Sequence, residues 1–346
     1  MKRINNIYDK IISLDNLRLA DEKARKNKRK QYGVRLHDKH READILRLHD
    51  MLIERRYKTS AYDEFKINEG HQRNKKERDI SRLPYYPDRI VHHAIMNVLE
   101  KFFVSKFTYN TFSCIKGRGI EGCARYTEKL IKRYEGRKLY CLKMDIKKFY
   151  PSINHDVLKC QLKHIIKDKD VLSLLFEIID SHEGIPIGNY TSQYFANLNL
   201  SPLMHKLSEE WHMDAAEYAD DIIVLSDDKS KLHTLFREKI KPFIENELKL
   251  KVKDNWQIFP VAENKYDKHG RNIDYVGYKF YRKQKLIRKS IKYNYCKCIS
   301  QLNKNNDISQ KGYKRKISAW LGWAKHSNSI NLLRTTIKKK FYESIL

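Results

Sequence analysis

Apolar positions along this chain follow three rhythms, and each predicts a different element. In the first sixty residues the rhythm is helical. Ile45, Leu48 and Leu52 share one face of a helix over Glu42–Leu52, and another helix opens at Asp15, which is placed to cap it. From Tyr62 to Ile67 apolar and polar residues alternate as in an edge strand. Arg78–Pro84 returns the chain, with Gly70 and the polar stretch through Lys76 as the turn. Asp88 is placed to cap a helix that includes His92 and His93, which read as core or surface residues rather than ligands. A second alternating stretch, Leu248–Ile258, predicts another strand. The third rhythm is continuous. Leu139–Met144 is a mostly apolar run that ends on Asp145, and Ile222–Leu225 is a β-branched and aliphatic run that reads as a buried strand. Asn154 caps a predicted helix to Ile166, and Tyr194–Leu200 is helical. Residues 284–346 are basic and helical, with Trp320 and Trp323 three apart as core packing.

Three carboxylates stand at the ends of these strands. Asp220 and Asp221 fall between Met213–Glu217 and Ile222–Ser226, so a hairpin would hold both at its tip. Two adjacent anions cost free energy to bury without a cation, and hard Mg²⁺ takes oxygen ligands. A solvated Asp-Asp turn is the ordinary alternative for that pair, as a strand-end turn is for Asp145. Taken together, the three supply what two-metal phosphoryl transfer needs, carboxylates from separate strands.

Composition adds the partner. The formal net charge is +28 over 346 residues, an excess that a polyanion would neutralise. Nucleic acid is the first candidate and an anionic membrane surface the second. The 22 tyrosines favour the first, since aromatics among cations suit base stacking beside phosphate contacts. The cation run Ala24–Lys30 fits a solvated helix face or a backbone contact equally. Ser113–Ile120 is a glycine-punctuated basic loop before a helix, a form that binds phosphate. No Cys-x-x-Cys pair occurs among the six cysteines, so a zinc ribbon is not expected and reduced thiols are. The N-terminus lacks an apolar core, and no stretch reaches the ~20 apolar residues of a membrane span, so the expected location is cytoplasmic, away from membrane.

The motifs carry a resemblance. Tyr218-Ala219-Asp220-Asp221, preceded by Asp-x-x-x-Phe-Tyr at 145–150 and Gly184–Gln193 between them, resembles the palm of a reverse transcriptase in order and spacing. The likeness runs from about Leu17 to Leu333. The Ile-Gly-x-x-x-Ser-Gln form at 187–193 resembles the enzymes of diversity-generating retroelements, where group II intron enzymes usually carry Gln-Gly-x-x-x-Ser-Pro.

The resemblance implies an α+β right-hand polymerase. Residues 1–135 would be N-terminal helices and fingers, 136–280 a palm with an antiparallel sheet, and 281–346 a helical thumb. The implied activity is RNA-directed DNA polymerisation with two Mg²⁺ ions, Mn²⁺ being admissible. Asp145, Asp220 and Asp221 would be catalytic, with Ile146 beside them in the metal set. Lys76 and Arg78 would cover the triphosphate of an incoming dNTP. Phe149, Tyr150, Ile187, Gly188 and Gln193 would surround it, the Tyr150 ring excluding a 2′-hydroxyl. Ile187 stands where many relatives carry Gln, which implies low fidelity at template adenines. Lys116, Gly117 and Arg118 would run along the template. Val276, Gly277 and Tyr278 would grip the primer, Gly277 allowing close backbone approach. Arg89 fits a structural ion pair as well as a phosphate contact. Asp254-Asn255-Trp256 does not match the usual site of a lysine that protonates pyrophosphate, so that role stays open. The implied partners are an RNA template, a DNA or RNA primer and a small basic accessory protein, with no room after the thumb for an endonuclease or RNase H domain. An anti-phage defence enzyme and a maturase-like RNA-binding protein with an idle polymerase are the alternatives.

Overall fold

The computed structural model describes residues 3–69, 76–304, 308–338 and 341. Its strands are β1 Asp63–Glu69, β2 Lys76–Arg82, β3 Tyr140–Asp145, β4 Asp214–Tyr218, β5 Asp221–Ser226, β6 Gln257–Pro260, β7 Ile273–Tyr275, β8 Tyr278–Phe280 and β9 Lys285–Ile287. All pairings between them are antiparallel. β1 and β2 form a hairpin, the central sheet has the order β4-β5-β3-β6, and β7-β8-β9 form a third sheet that continues past residue 280.

Ile222–Leu225 is apolar at every position because both faces of its strand are covered. Ile222 and Val224 of β5, with Leu142 and Met144 of β3, face a large core shared with the N-terminal helices and the helix Ser192–His205. Ile223 and Leu225, with Cys141, face a second core built from the helix Gly119–Lys132 and the third sheet. A strand covered on both sides loses the alternation of a half-buried one. The helices Lys289–Lys304 and Gln310–Lys325 enclose a third core around Tyr295, Ile299, Tyr313 and Ile317. This mixed, helix-rich architecture with an antiparallel central sheet is a right-hand polymerase fold. Among the described residues no helix is long and apolar enough to cross a membrane.

Several local expectations change. The cap of the helix Leu14–Ala24 is Ser13, whose hydroxyl accepts from the Asn16 amide, while Asp15 sits in the first turn. Asp88 is fully buried and caps no helix. It accepts instead from the Tyr57 hydroxyl at 2.7 Å and the Ser60 amide at 3.1 Å, fastening the segment before β1. Leu248–Ile258 is not one strand. Val252 makes an isolated bridge to Ile146, the chain turns at Asp254-Asn255, and Gln257 and Ile258 then open β6 and pair with β3. Asn154 does cap its helix, accepting from the Val157 amide. The predicted turn at Gly70 lies outside the described residues.

Candidate active site

The β4–β5 hairpin turns through Ala219 and Asp220, and Ala219 takes φ +56 to make the turn. Asp221 is the first residue of β5 and lies directly opposite Asp145, the last of β3. The Ile146 amide donates to the Asp220 carbonyl at 3.2 Å, which ties the hairpin tip to the end of β3. Three carboxylates from two sequence regions thus meet at one end of the central sheet. Burial and the neighbouring Asp145 push the Asp220 carboxyl up to about 6. Burial also raises Asp221, against the opposing pull of Lys143.

Two lysines complete this end of the sheet. Lys143 precedes Asp145 by two residues, so it projects from the same face of β3 and reaches the diagonal neighbour Asp221 as an ion pair. Its ammonium also lies 5.5 Å from the centre of the Tyr275 ring. Lys253 pairs with Asp145, and its amide donates to the Asp145 carbonyl at 2.8 Å. Sequence reasoning missed both. The two-residue offset was a usable signal for Lys143; for Lys253 nothing local pointed to Asp145. Among the described residues no group of three or more His, Cys, Asp or Glu side chains stands in a metal-holding arrangement. The donor chemistry nevertheless fits a hard divalent ion: the Asp145 carboxylate is close enough to raise the proton affinity of Asp220, and added positive charge would relieve that.

The expected nucleotide residues gather beside the carboxylates. The Tyr150 hydroxyl donates to Gln193 Oε1 at 2.7 Å, and the Tyr150 carbonyl accepts from the Ile185 amide at 2.9 Å. Both bonds join the segment after Asp145 to the Gly184–Gln193 loop. Phe149 is buried beneath, with ring centres 5.5 Å apart. Ile187 is half-buried. Gly188 has φ +136, and a Cβ there would stand 2.7 Å from the Ser81 carbonyl oxygen, so this loop abuts β2 through a contact that only glycine allows. Arg78 on β2 is close enough for its charge to act on the Tyr150 hydroxyl. Lys76 opens β2, and its side chain lies outside the described residues.

Arg118 is half-buried, and its Nη1 donates to the Thr108 and Thr111 carbonyls at 2.6 and 2.9 Å, bracing its own loop. Lys116 and Gly117 are exposed. Val276 and Gly277 take φ +42 and +86 in the β7–β8 turn, and a Cβ on Gly277 would lie 2.5 Å from the Trp323 ring. Trp323 also packs on Tyr278, with ring centres 4.9 Å apart. The glycine therefore admits a tryptophan of the C-terminal helices.

Glu217 lies on β4, three residues before Asp220, and is fully buried. One carboxyl oxygen accepts from Thr111 Oγ1 at 3.0 Å, and the other has no partner among the described residues. Burial pushes this carboxyl up to about 8. A raised folded pKa gives stability that is complete below the unfolded value near 4.5 and lost as pH rises through about 8. Glu217→Gln lacks that titration. From pH 4.5 to 8.5, urea unfolding is expected to shift in the variant's favour by on the order of a few kcal/mol. Parallel profiles for the two proteins would refute the buried neutral carboxyl.

The family model described as reverse transcriptase (RNA-dependent DNA polymerase) matches residues 68–280. The mitochondrial nuclear intron maturase 1 of Arabidopsis thaliana is 29% identical over 122 residues, 34% of this chain and 17% of that protein. Apo telomerase of Candida tropicalis superposes with a TM-score of 0.52 at 12% identity, over 81% of this chain and 58% of that one. Telomerase of Candida albicans, with a TWJ fragment of telomeric RNA, gives 0.51 at 12% identity, over 79% and 58%. The chain thus spans a small part of the maturase and a little over half of each telomerase chain, and at these identities the structural likeness concerns the fold.

Proposed function

The chain belongs to the reverse transcriptase family, and on that premise we propose that it extends a primer with deoxynucleotides under the direction of an RNA template. The observation that carries the reading is the meeting of Asp145, Asp220 and Asp221 beside the bonded pair Tyr150 and Gln193. In this reading residues 1–135 are N-terminal helices and fingers, 136–280 the palm and 281–346 the thumb.

Asp145, Asp220 and Asp221, with the backbone of Ile146, would hold Mg²⁺ or Mn²⁺, which when bound activates the primer 3′-hydroxyl and offsets charge on the leaving pyrophosphate. The protein's own residues do the rest. Lys143 and Lys253 balance the carboxylates before substrate arrives. Arg78 and Lys76 oppose the triphosphate, for which a guanidinium can bond bidentately. Phe149 and Gln193 fix Tyr150 under the sugar. Lys116 and Gly117 meet the template, and the Val276–Tyr278 turn supports the primer.

The Ile187 form of the Gly184–Gln193 loop supports a role in a diversity-generating retroelement, in which a small basic accessory protein would work with the enzyme. An apolar side chain near the nascent pair gives fewer directional contacts with which to reject a wrong base. The test is primer extension on an RNA template with Mg²⁺ and dNTPs, followed by sequencing of the cDNA. Errors concentrated opposite adenine are expected, and Ile187→Gln should lower them about tenfold. Accurate product from the unaltered chain would point to an anti-phage enzyme instead. Absence of product, with the accessory protein present, would favour a maturase-like RNA-binding role. The Arabidopsis match is the observation behind that second reading.

A further inference from the structure

The Gly184–Gln193 loop is fastened to its neighbours at several positions. Gly188 abuts the Ser81 carbonyl, Asn189 Nδ2 donates to the Tyr62 hydroxyl at 2.9 Å, and Gln193 holds Tyr150. Between those points, Tyr190 and Thr191 are held by one helix, Ile90–Val104, through two consecutive histidines. The His93 ring stacks on Tyr190, with ring centres 4.0 Å apart and planes 14° from parallel. His92 Nδ1 and Thr191 Oγ1 share a hydrogen bond at 3.1 Å, and both residues are buried. Further along the same helix, Glu100 accepts from the Tyr194 hydroxyl at 2.9 Å.

Packing alone does not account for His92. Its other ring nitrogen, Nε2, is buried with no hydrogen-bond partner among the described residues. The residue lines a small cleft with Leu83, Arg89, Gly188, Asn189 and Tyr190. A buried polar atom without a partner costs free energy, a cost that leucine in the same space would not carry. What the imidazole has and leucine lacks is the bond to Thr191. Burial pushes His92 down to about 3 and His93 down to about 4, so both rings are neutral near pH 7.

Thr191 is where the bond takes effect. Its carbonyl accepts from the Tyr194 and Phe195 amides at 3.0 and 3.1 Å, which opens the helix Ser192–His205. Gln193, in the first turn of that helix, accepts from the Tyr150 hydroxyl. A shift at Thr191 therefore moves Gln193 on one side and Gly188 on the other, two residues that the polymerase reading sets around the incoming nucleotide. We infer that His92 is a positioning residue for nucleotide selection: through Thr191 it fixes the loop to which Gly188 and Gln193 belong. The inference rests on the polymerase reading for its kinetic consequence, while the fastening of the loop stands on the geometry alone.

Three variants separate positioning from packing. His92→Leu fills the space and loses the bond. His92→Asn restores a polar atom near the place of Nδ1 in a smaller side chain. Thr191→Val removes the bond from the other side. In single-nucleotide primer extension, His92→Leu is expected to raise KM for the correct dNTP about tenfold with kcat within about twofold. His92→Asn should return KM to within about threefold of the parent, Thr191→Val should match His92→Leu, and combining those two should be no worse than either. Hydrogen exchange of the peptide 184–193, read in the protein alone, is expected to quicken about tenfold in His92→Leu and Thr191→Val and to stay near parental in His92→Asn. A packing residue would give the reverse order, with leucine harmless and asparagine costly, and that result overturns the inference. Additive losses in the double variant, or loop exchange unchanged by His92→Leu, overturn it too. If the parent does not polymerise while the loop exchange follows the expected order, the polymerase reading falls and the positioning of the loop by His92 stands.

Discussion

Asp220→Asn is expected to reduce deoxynucleotide addition by at least about 10³-fold while primer–template binding stays within about twofold. The Asn side chain keeps the shape of the carboxylate and removes its charge. Asp220 makes no ion pair with a cation among the described residues, and its link to β3 runs through its backbone carbonyl. Its side chain instead faces Asp145, a like charge that burial makes more costly. The variant should therefore be at least as stable as the parent, with an unchanged or higher Tm. Activity lost without stability lost separates a chemical role from a folding defect. Asp145→Asn should be equally inactive but less stable, because Lys253 would lose its partner. Incorporation at near-parental rate in either variant would sink the assignment of these carboxylates to the chemistry.

Tyr150→Val is expected to raise ribonucleotide incorporation relative to deoxynucleotide by about 10²-fold, read from competing rNTP and dNTP in primer extension. The ring is held on three sides: by Gln193 through its hydroxyl, by the Ile185 amide through its backbone, and by Phe149 beside it. A ring so fixed cannot yield to an extra oxygen at C2′, and shortening it opens that space. Gln193→Ala removes the hydroxyl's anchor and leaves the ring in place, so its effect on sugar choice should be much smaller. If Tyr150→Val leaves sugar discrimination unchanged, Tyr150 is a packing residue beside Phe149 and no more.

Much of the site was legible before any coordinates. The Asp220-Asp221 hairpin, the strand ending on Asp145 and the aromatic pair at 149–150 are each local patterns of charge and hydropathy. Such patterns survive in a one-dimensional reading because backbone geometry repeats every two or 3.6 residues. The errors are instructive for the same reason. Leu248–Ile258 alternates well, yet a turn at Asp254-Asn255 divides it, with Lys253 paired to Asp145 on one side and β6 starting at Gln257 on the other. Asp15 and Asp88 look like caps by type and position. Ser13 takes the first role, and burial against Tyr57 takes Asp88 out of the second.

Legible in neighbouring residues alone were the strand ending on Asp145, the buried strand at Ile222–Leu225, the hairpin tip with its paired acids, the basic character and the family motifs. Only the tertiary structure decided which charges meet. Lys253 finds Asp145 across 108 positions, and Lys143 finds Asp221 across 78. It also turned Arg118 inward to its own loop, filled the space over Gly277 with Trp323, and set Arg89 at the wall of a cavity lined by residues of the N-terminal helices. The physical reason is one of range. Propensity and periodicity act along the chain, whereas the partner of a charge, or the neighbour that fills the space over a glycine, is set by how the elements pack, which local periodicity does not record.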